Sequence, residues 1–283
     1  MNFLREKFKS NIKFVYYLAQ SSAPNNLFNL RHYAELIRSS THSVQIVLNS
    51  DFLILCDKYS KEILFDLGFK EHNLELIEIN KKGFMHNRME AQRNLINKEL
   101  KKNNPSSLFF IDSDAVPTNL KFLKMLSKDK ISFFERPGRY PLNGGLIFIG
   151  NLKLKVAIDL WNRMLNGYDA LSDEKKEWFG DQDILRDFPY AEFSAGNTKD
   201  FCINNSVVYI EPAYSLKGAY KLFYSNYDIV HYKGYVRRWA KFDKFRKSYS
   251  LIKFFIFITI CLDYILLGSF WRKKFRIDKR RID

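Results

Sequence analysis

A chain of 283 residues with 46% apolar and 16% aromatic residues is long and apolar enough to bury one large core, so most of it is expected to be globular. Its three cysteines, Cys56, Cys202 and Cys261, are far apart and form no Cys-x-x-Cys pair, which argues against a disulfide framework or a cysteine zinc site and suits a reducing compartment. The formal charge of +15 is uneven: residues 237–283 hold 14 Lys/Arg against 4 Asp, a local +10, and leave +5 for the rest. No nucleic-acid-binding motif accompanies this excess, and its basic clusters surround an apolar run, so a membrane surface is the expected partner and nucleic acid is not. The first residues lack the apolar core and small-residue cleavage site of a signal peptide, which places the expected catalytic part in the cytoplasm.

Residues 12–18 read as a β-rich first strand, followed by a turn over 21–26. Apolar residues at helical spacing follow over 27–48, then a buried strand over 52–56, a short helix over 60–67 closed by Gly68, and a strand over 74–79. This alternation predicts a doubly wound α/β unit. A helix over 87–102 leads into the apolar strand of 108–111, which ends at Asp112-Ser113-Asp114. A short helix over 120–126, strands over 131–134 and 146–149, helices over 156–165 and 172–179, and a strand over 206–210 follow, and Ile229-Val230-His231-Tyr232-Lys233-Gly234 is the last motif of the globular part.

Ligands gather beyond the carboxyl ends of strands in an open α/β sheet, so Asp112 and Asp114 are expected to face a substrate. Two carboxylates at i and i+2 can share one hard cation whose other positions stay open to water or phosphate oxygens. The spacing alone is weak: with 18 aspartates in the chain, Asp-x-Asp is expected about once by chance, and it occurs at 112/114 and again at 181/183. An Asp-capped turn is the plain alternative at either place. Asn143-Gly144-Gly145 before an apolar strand would let the backbone come close to a ligand, or form an ordinary tight turn.

The order of these motifs over residues 12–240 resembles the GT-A class of glycosyltransferases. The pieces are Arg88-x-x-x-Gln92 on the helix before the Asp-x-Asp strand, Asn143-Gly144-Gly145, Gly180-Asp181-Gln182 and His231-x-x-Gly234. The resemblance implies a mixed, Rossmann-like sheet flanked by helices in a catalytic domain over 1–240, and the composition beyond it marks a basic, apolar helical tail over 241–283. It implies that Asp114 and His231 hold a divalent metal, Mn²⁺ in preference to Mg²⁺, and that Asp112 binds the metal or the ribose. Arg88, Asn143, Gly144, Gly145, Lys233 and Gly234 would contact the nucleotide sugar, with Lys233 taking a phosphate oxygen. Asp181 would touch sugar or acceptor, and Gln182 the sugar hydroxyls. Arg88, Arg136 and Arg139 alike are candidates for diphosphate or sugar contact, with a solvated surface role as the alternative for each.

The tail carries the most apolar run, 251–270, but Lys253 and Asp263 interrupt it, and a central Asp costs about 2.5–3.5 kcal/mol on an insertion scale. An interfacial helix on an anionic leaflet is therefore expected rather than a span, with a helix that packs on the catalytic domain or forms a homodimer as the other reading. The sequence as a whole points to a peripheral enzyme on the cytoplasmic membrane face, moving a hexosyl group from a UDP-type sugar donor to a cell-surface glycan or lipid-linked acceptor. A nucleotidyltransferase would want a Gly-rich basic loop after the first strand, and residues 20–26 contain neither Gly nor Lys/Arg. A non-catalytic membrane adaptor would leave the strand-end acids without a purpose.

Overall fold

The computed structural model describes residues 12–19, 30–45, 50–117, 121–135, 141–173, 176, 180–196, 198–204, 207–210, 229–232, 255, 258 and 262. A seven-stranded sheet runs in the order β3-β2-β1-β4-β7-β6-β8. Its strands are β1 Ile12–Leu18, β2 Asp51–Cys56, β3 Leu74–Leu76, β4 Ser107–Ile111, β6 Ile131–Glu135, β7 Leu142–Ile149 and β8 Phe201–Asn204. The first four in that order are parallel, β7 is antiparallel to both β4 and β6, and β8 is parallel to β6. This is the mixed α/β sheet that the sequence led us to expect.

Alternation along the central strands explains the layers. Val15, Tyr17, Leu108 and Phe110 point to one face, where they meet Met89, Leu95 and Ile96 of helix α3 (Phe84–Leu100) and Trp161 and Met164 of α4 (Leu154–Asp169). Phe14, Tyr16, Phe109 and Ile111 point to the other, against Leu30, Ala34 and Ile37 of α1 (Leu30–Ser43) and Leu64 of α2 (Lys58–Asp66). Residues two apart on a strand share a face, so a near-continuous apolar run serves both layers at once. At the start of β4 the fully buried Glu99 carboxylate receives Lys13 Nζ at 2.7 Å, Lys102 Nζ and the Ser106 N–H, tying β1 to the end of α3. Burial raises its pKa, but these donors outweigh that and hold the carboxyl below its usual range.

Several sequence expectations change. The helix expected from 87 begins at Phe84, after Gly83 at φ 99°, whose carbonyl accepts the Asn87 N–H; the Asn87 side chain meanwhile holds the preceding loop, its Oδ1 accepting the Asn80 N–H and its Nδ2 donating to Asn80 O. The strand over 74–79 ends at Leu76, and the helix over 120–126 is a single 3₁₀ segment, Lys121–Met125. The helix over 156–165 extends to Leu154–Asp169. Asp57 caps α2 by accepting the Ser60 N–H at 2.7 Å, and Gly68, at φ 85°, follows its end.

The sequence did not suggest strand β8, nor β5 (Ala115–Pro117). The latter joins β9 (Val207–Ile210) and β10 (Ile229–Tyr232) in a second, three-stranded sheet of order β5-β10-β9. Of the tail only residues 255, 258 and 262 are described. They are helical and exposed, Phe255 at 59% and Leu262 at 51%. Among the described residues no helix is long and apolar enough to cross a membrane.

Candidate functional site

The chain leaves the main sheet at Asp112 and enters the small one at Ala115. Asp112 N–H still donates to Gly145 O at 2.7 Å, continuing the β4–β7 ladder, and Ala115 N–H closes a tight turn onto Asp112 O at 3.0 Å. Both acids therefore lie on the bend between two sheets, which the backbone bonds of Asp112 and Ala115 close. Strand β10 runs antiparallel to β5 with His231 directly opposite Ala115, which delivers the imidazole to the same bend.

The resulting cluster is compact. His231 Nε2 is 2.8 Å from Asp114 Oδ1 and 3.5 Å from Asp112 Oδ2. His231 is fully buried and Asp114 nearly so, whereas a quarter of the Asp112 side chain is exposed, giving the cluster one open side. One ligand atom from each of the three residues lies within 4.8 Å of the others. Among the described residues this is the group of acids and imidazole able to hold a metal ion.

Arg88, in the second turn of α3, reaches the opposite oxygen of Asp112. Its Nη1 donates to Asp112 Oδ1 at 3.0 Å and its Nη2 to Gly144 O at 3.4 Å. Arg88 thus occupies Oδ1 and leaves Oδ2 toward His231, so Asp112 presents one oxygen to a cation and not two. The Asn143-Gly144-Gly145 segment forms the remaining wall. A Cβ on Gly145 would stand 1.7 Å from Asp112 Oδ2, so the glycine is required by the carboxylate packed against it. Asn143, 2% exposed, donates from Nδ2 toward His231 Nδ1 at 3.0 Å and accepts the Gly145 N–H on Oδ1 at 3.0 Å.

The donor set decides what fits. Two carboxylates face one guanidinium and one imidazole in a mostly buried pocket, and buried charge of one sign needs a partner. Two carboxylate oxygens and one imidazole nitrogen form a donor set that a divalent cation can take. The residues present therefore fit a divalent cation with coordination positions left for other oxygens.

Six of the sequence-derived site residues meet here with Asp112: Arg88, Asp114, Asn143, Gly144, Gly145 and His231. Gln92, the other half of the helix motif, does not take part, because its Oε1 accepts the Trp161 Nε1–H at 3.2 Å inside the core. Asp181 and Gln182 lie on helix α5 (Gly180–Leu185), which packs on β7 and α4 through Ile184 and Leu185. The adjacent Asp183 is buried and pairs with Arg186 at 3.3 Å. The side chains of Asp181 and Gln182, and all of Lys233, Gly234, Arg136 and Arg139, lie outside the described residues. The Asn143–His231 bond and the fit of Asp112 over Gly145 could not be read from spacing, since each joins segments far apart in the chain.

No protein-family model and no curated protein sequence matches the chain. Among solved structures it is similar to a glycosyltransferase involved in the glycosylation of the major capsid of PBCV-1, at 12% identity and a TM-score of 0.50, over 84% of this chain and all of that one. It also overlaps the bifunctional glycosyltransferase WbbM, at 15% identity and a TM-score of 0.48, over 88% of this chain and 52% of that one. LgtC overlaps 87% of this chain and 95% of its own length, at 12% identity and a TM-score of 0.48. The chain shares the α/β fold of the first of these structures, with Asp112-x-Asp114 at the exit of its fourth strand.

Proposed function

We propose that the protein is a metal-dependent glycosyltransferase that moves a sugar from a nucleotide diphosphate donor, UDP-linked in the first instance, to a cell-surface glycan or lipid-linked acceptor. The observation that carries this reading is the Asp112/Asp114/His231 cluster at the β4 exit of a glycosyltransferase fold. Asp112, Asp114 and His231 would hold the cation, Mn²⁺ before Mg²⁺, and when bound it supplies neutralisation of the charge that builds on the departing diphosphate. Arg88 keeps Asp112 in place and adds a fixed positive charge beside it. Gly144 would let a sugar or phosphate come against bare backbone, whereas the room over Gly145 is taken by the Asp112 carboxylate. Lys233 and Gly234 follow His231 directly in the chain, and in this reading Lys233 takes a phosphate oxygen.

Asp181 and Gln182 are assigned to the sugar and acceptor side. A carboxylate there can accept the acceptor's hydroxyl proton or face a developing oxocarbenium ion, and an amide can bind sugar hydroxyls. In this reading residues 1–240 are catalytic. Residues 241–283 hold the enzyme on an anionic cytoplasmic membrane face, where a lipid-linked acceptor would lie. The exposed apolar residues Phe255, Ile258 and Leu262 recur at helical spacing and support it.

The test is a panel of nucleotide sugars, UDP-sugars first, incubated with the full chain and Mn²⁺ while release of the nucleoside diphosphate is followed. One donor should be turned over, and EDTA should abolish the turnover. No turnover or binding of any donor with metal present sinks the reading. Removing residues 251–283 should keep donor hydrolysis and abolish co-sedimentation with vesicles containing phosphatidylserine; sedimentation equal to that of the full chain counts against the tail's role.

A further inference from the structure

Both ring nitrogens of the buried His231 are engaged, Nδ1 with Asn143 Nδ2 and Nε2 with Asp114 Oδ1. A neutral imidazole has one donor and one acceptor nitrogen, so its partners determine where the proton sits. The partner at Nδ1 is itself fixed. Asn143 Oδ1 accepts the Gly145 N–H, and turning the amide over would set its NH₂ against that N–H, donor to donor. The amide NH₂ therefore faces His231, and because it can only donate, Nδ1 must accept. The proton then belongs on Nε2, pointing at the Asp114 carboxylate, where donor meets acceptor at 2.8 Å. An assignment of this kind follows from the heavy-atom network.

A cation held by Nε2 needs the lone pair of that nitrogen. The proton must leave Nε2 and return at Nδ1, and Asn143 must turn its Oδ1 to meet it, releasing the Gly145 N–H. We propose that Asn143 is a positioning residue that holds His231 in the Nε2–H tautomer and so lowers the affinity of the cluster for a divalent cation. Cation entry is thereby coupled to the Asn143-Gly144-Gly145 strand end that also cradles Asp112. The inference rests on the reading of Asp112, Asp114 and His231 as a cation site, but the tautomer can be observed without any cation.

The experiment compares wild type with Asn143→Asp. A carboxylate at 143 accepts from the Gly145 N–H and from a proton on Nδ1 together, so it keeps the local shape and reverses the tautomer. Nitrogen NMR of the metal-free full chain with ¹⁵N-labelled histidine, its His231 signals assigned by their loss in His231→Gln, should report Nε2–H in wild type and Nδ1–H in Asn143→Asp. The Nδ1–H form in wild type, or one tautomer in both proteins, overturns the proposal.

Mn²⁺ titration of the same proteins, followed by the paramagnetic resonance of free Mn²⁺, should show about tenfold tighter binding for Asn143→Asp, the scale of one hydrogen bond. The uncharged Asn143→Ala, with its fold checked by thermal melting, separates this from added charge. It should bind Mn²⁺ at least as tightly as wild type, whereas a purely structural Asn143 predicts weaker binding in both variants. If no variant binds Mn²⁺ while both tautomers are as expected, the cation-site reading fails and the tuning with it, and the spectra still establish the tautomer lock.

Discussion

Asp114→Asn should cut Mn²⁺ affinity by at least about 100-fold and sugar transfer by roughly 1,000-fold, the scale at which preorganised electrostatic groups act. The substitution keeps the shape and, through its Oδ1, an acceptor for the His231 Nε2–H, so the change is in charge rather than in fold. Asp114 is buried at 4% exposure on a bend closed by the Asp112 N–H to Gly145 O and Ala115 N–H to Asp112 O bonds. Metal-free thermal stability should stay within about 1 kcal/mol of wild type, because the variant removes one of two neighbouring like charges. Mn²⁺ binding by resonance and donor turnover on the same preparation check both halves. Undiminished Mn²⁺ affinity in Asp114→Asn would remove the residue from the metal site.

The second large effect is expected at a residue with no side chain. In Gly145→Ala the new Cβ would lie 1.7 Å from Asp112 Oδ2 and 1.8 Å from Cγ, well inside contact distance. The β7 backbone cannot retreat, since Gly145 O accepts the Asp112 N–H and Gly145 N–H donates to Asn143. The short Asp112 side chain must therefore rotate away, leaving Arg88 Nη1 without its carboxylate partner and the cluster without one oxygen. We expect a loss of about 10- to 100-fold in Mn²⁺ affinity with a stability cost of about 1–3 kcal/mol from overpacking. Calorimetry and a thermal melt separate the two, and an Ala variant with wild-type affinity would show that Asp112 is not a ligand.

How much of this was legible beforehand depended on whether an element declares itself locally. The strands over 12–18, 52–56 and 108–111 fall within one residue of their structural bounds, because buried parallel strands are continuous apolar runs with polar ends. β5 did not announce itself. Three residues ending in Pro117 carry no period, and the strand exists only because β10, more than a hundred residues later, pairs with it. That pairing is what sets His231 beside Asp114. The sequence named both residues, while their meeting depends on a nonlocal ladder. Gly145 was read as room for a ligand, and the structure puts the Asp112 carboxylate in that room. The early start of α3 was hidden by Asn87, a modest helix former whose side chain serves the loop before it.

The central claim is that the bend between the two sheets holds a nucleoside diphosphate through a divalent cation. Calorimetric titration of UDP into the full chain, once with Mn²⁺ and once with EDTA, tests it most directly. The account predicts binding with Mn²⁺ that weakens by at least about 100-fold in EDTA, consistent with diphosphate oxygens completing the metal's ligand set. Equal UDP affinity in both conditions, or no binding of any nucleoside diphosphate with Mn²⁺ present, would contradict it.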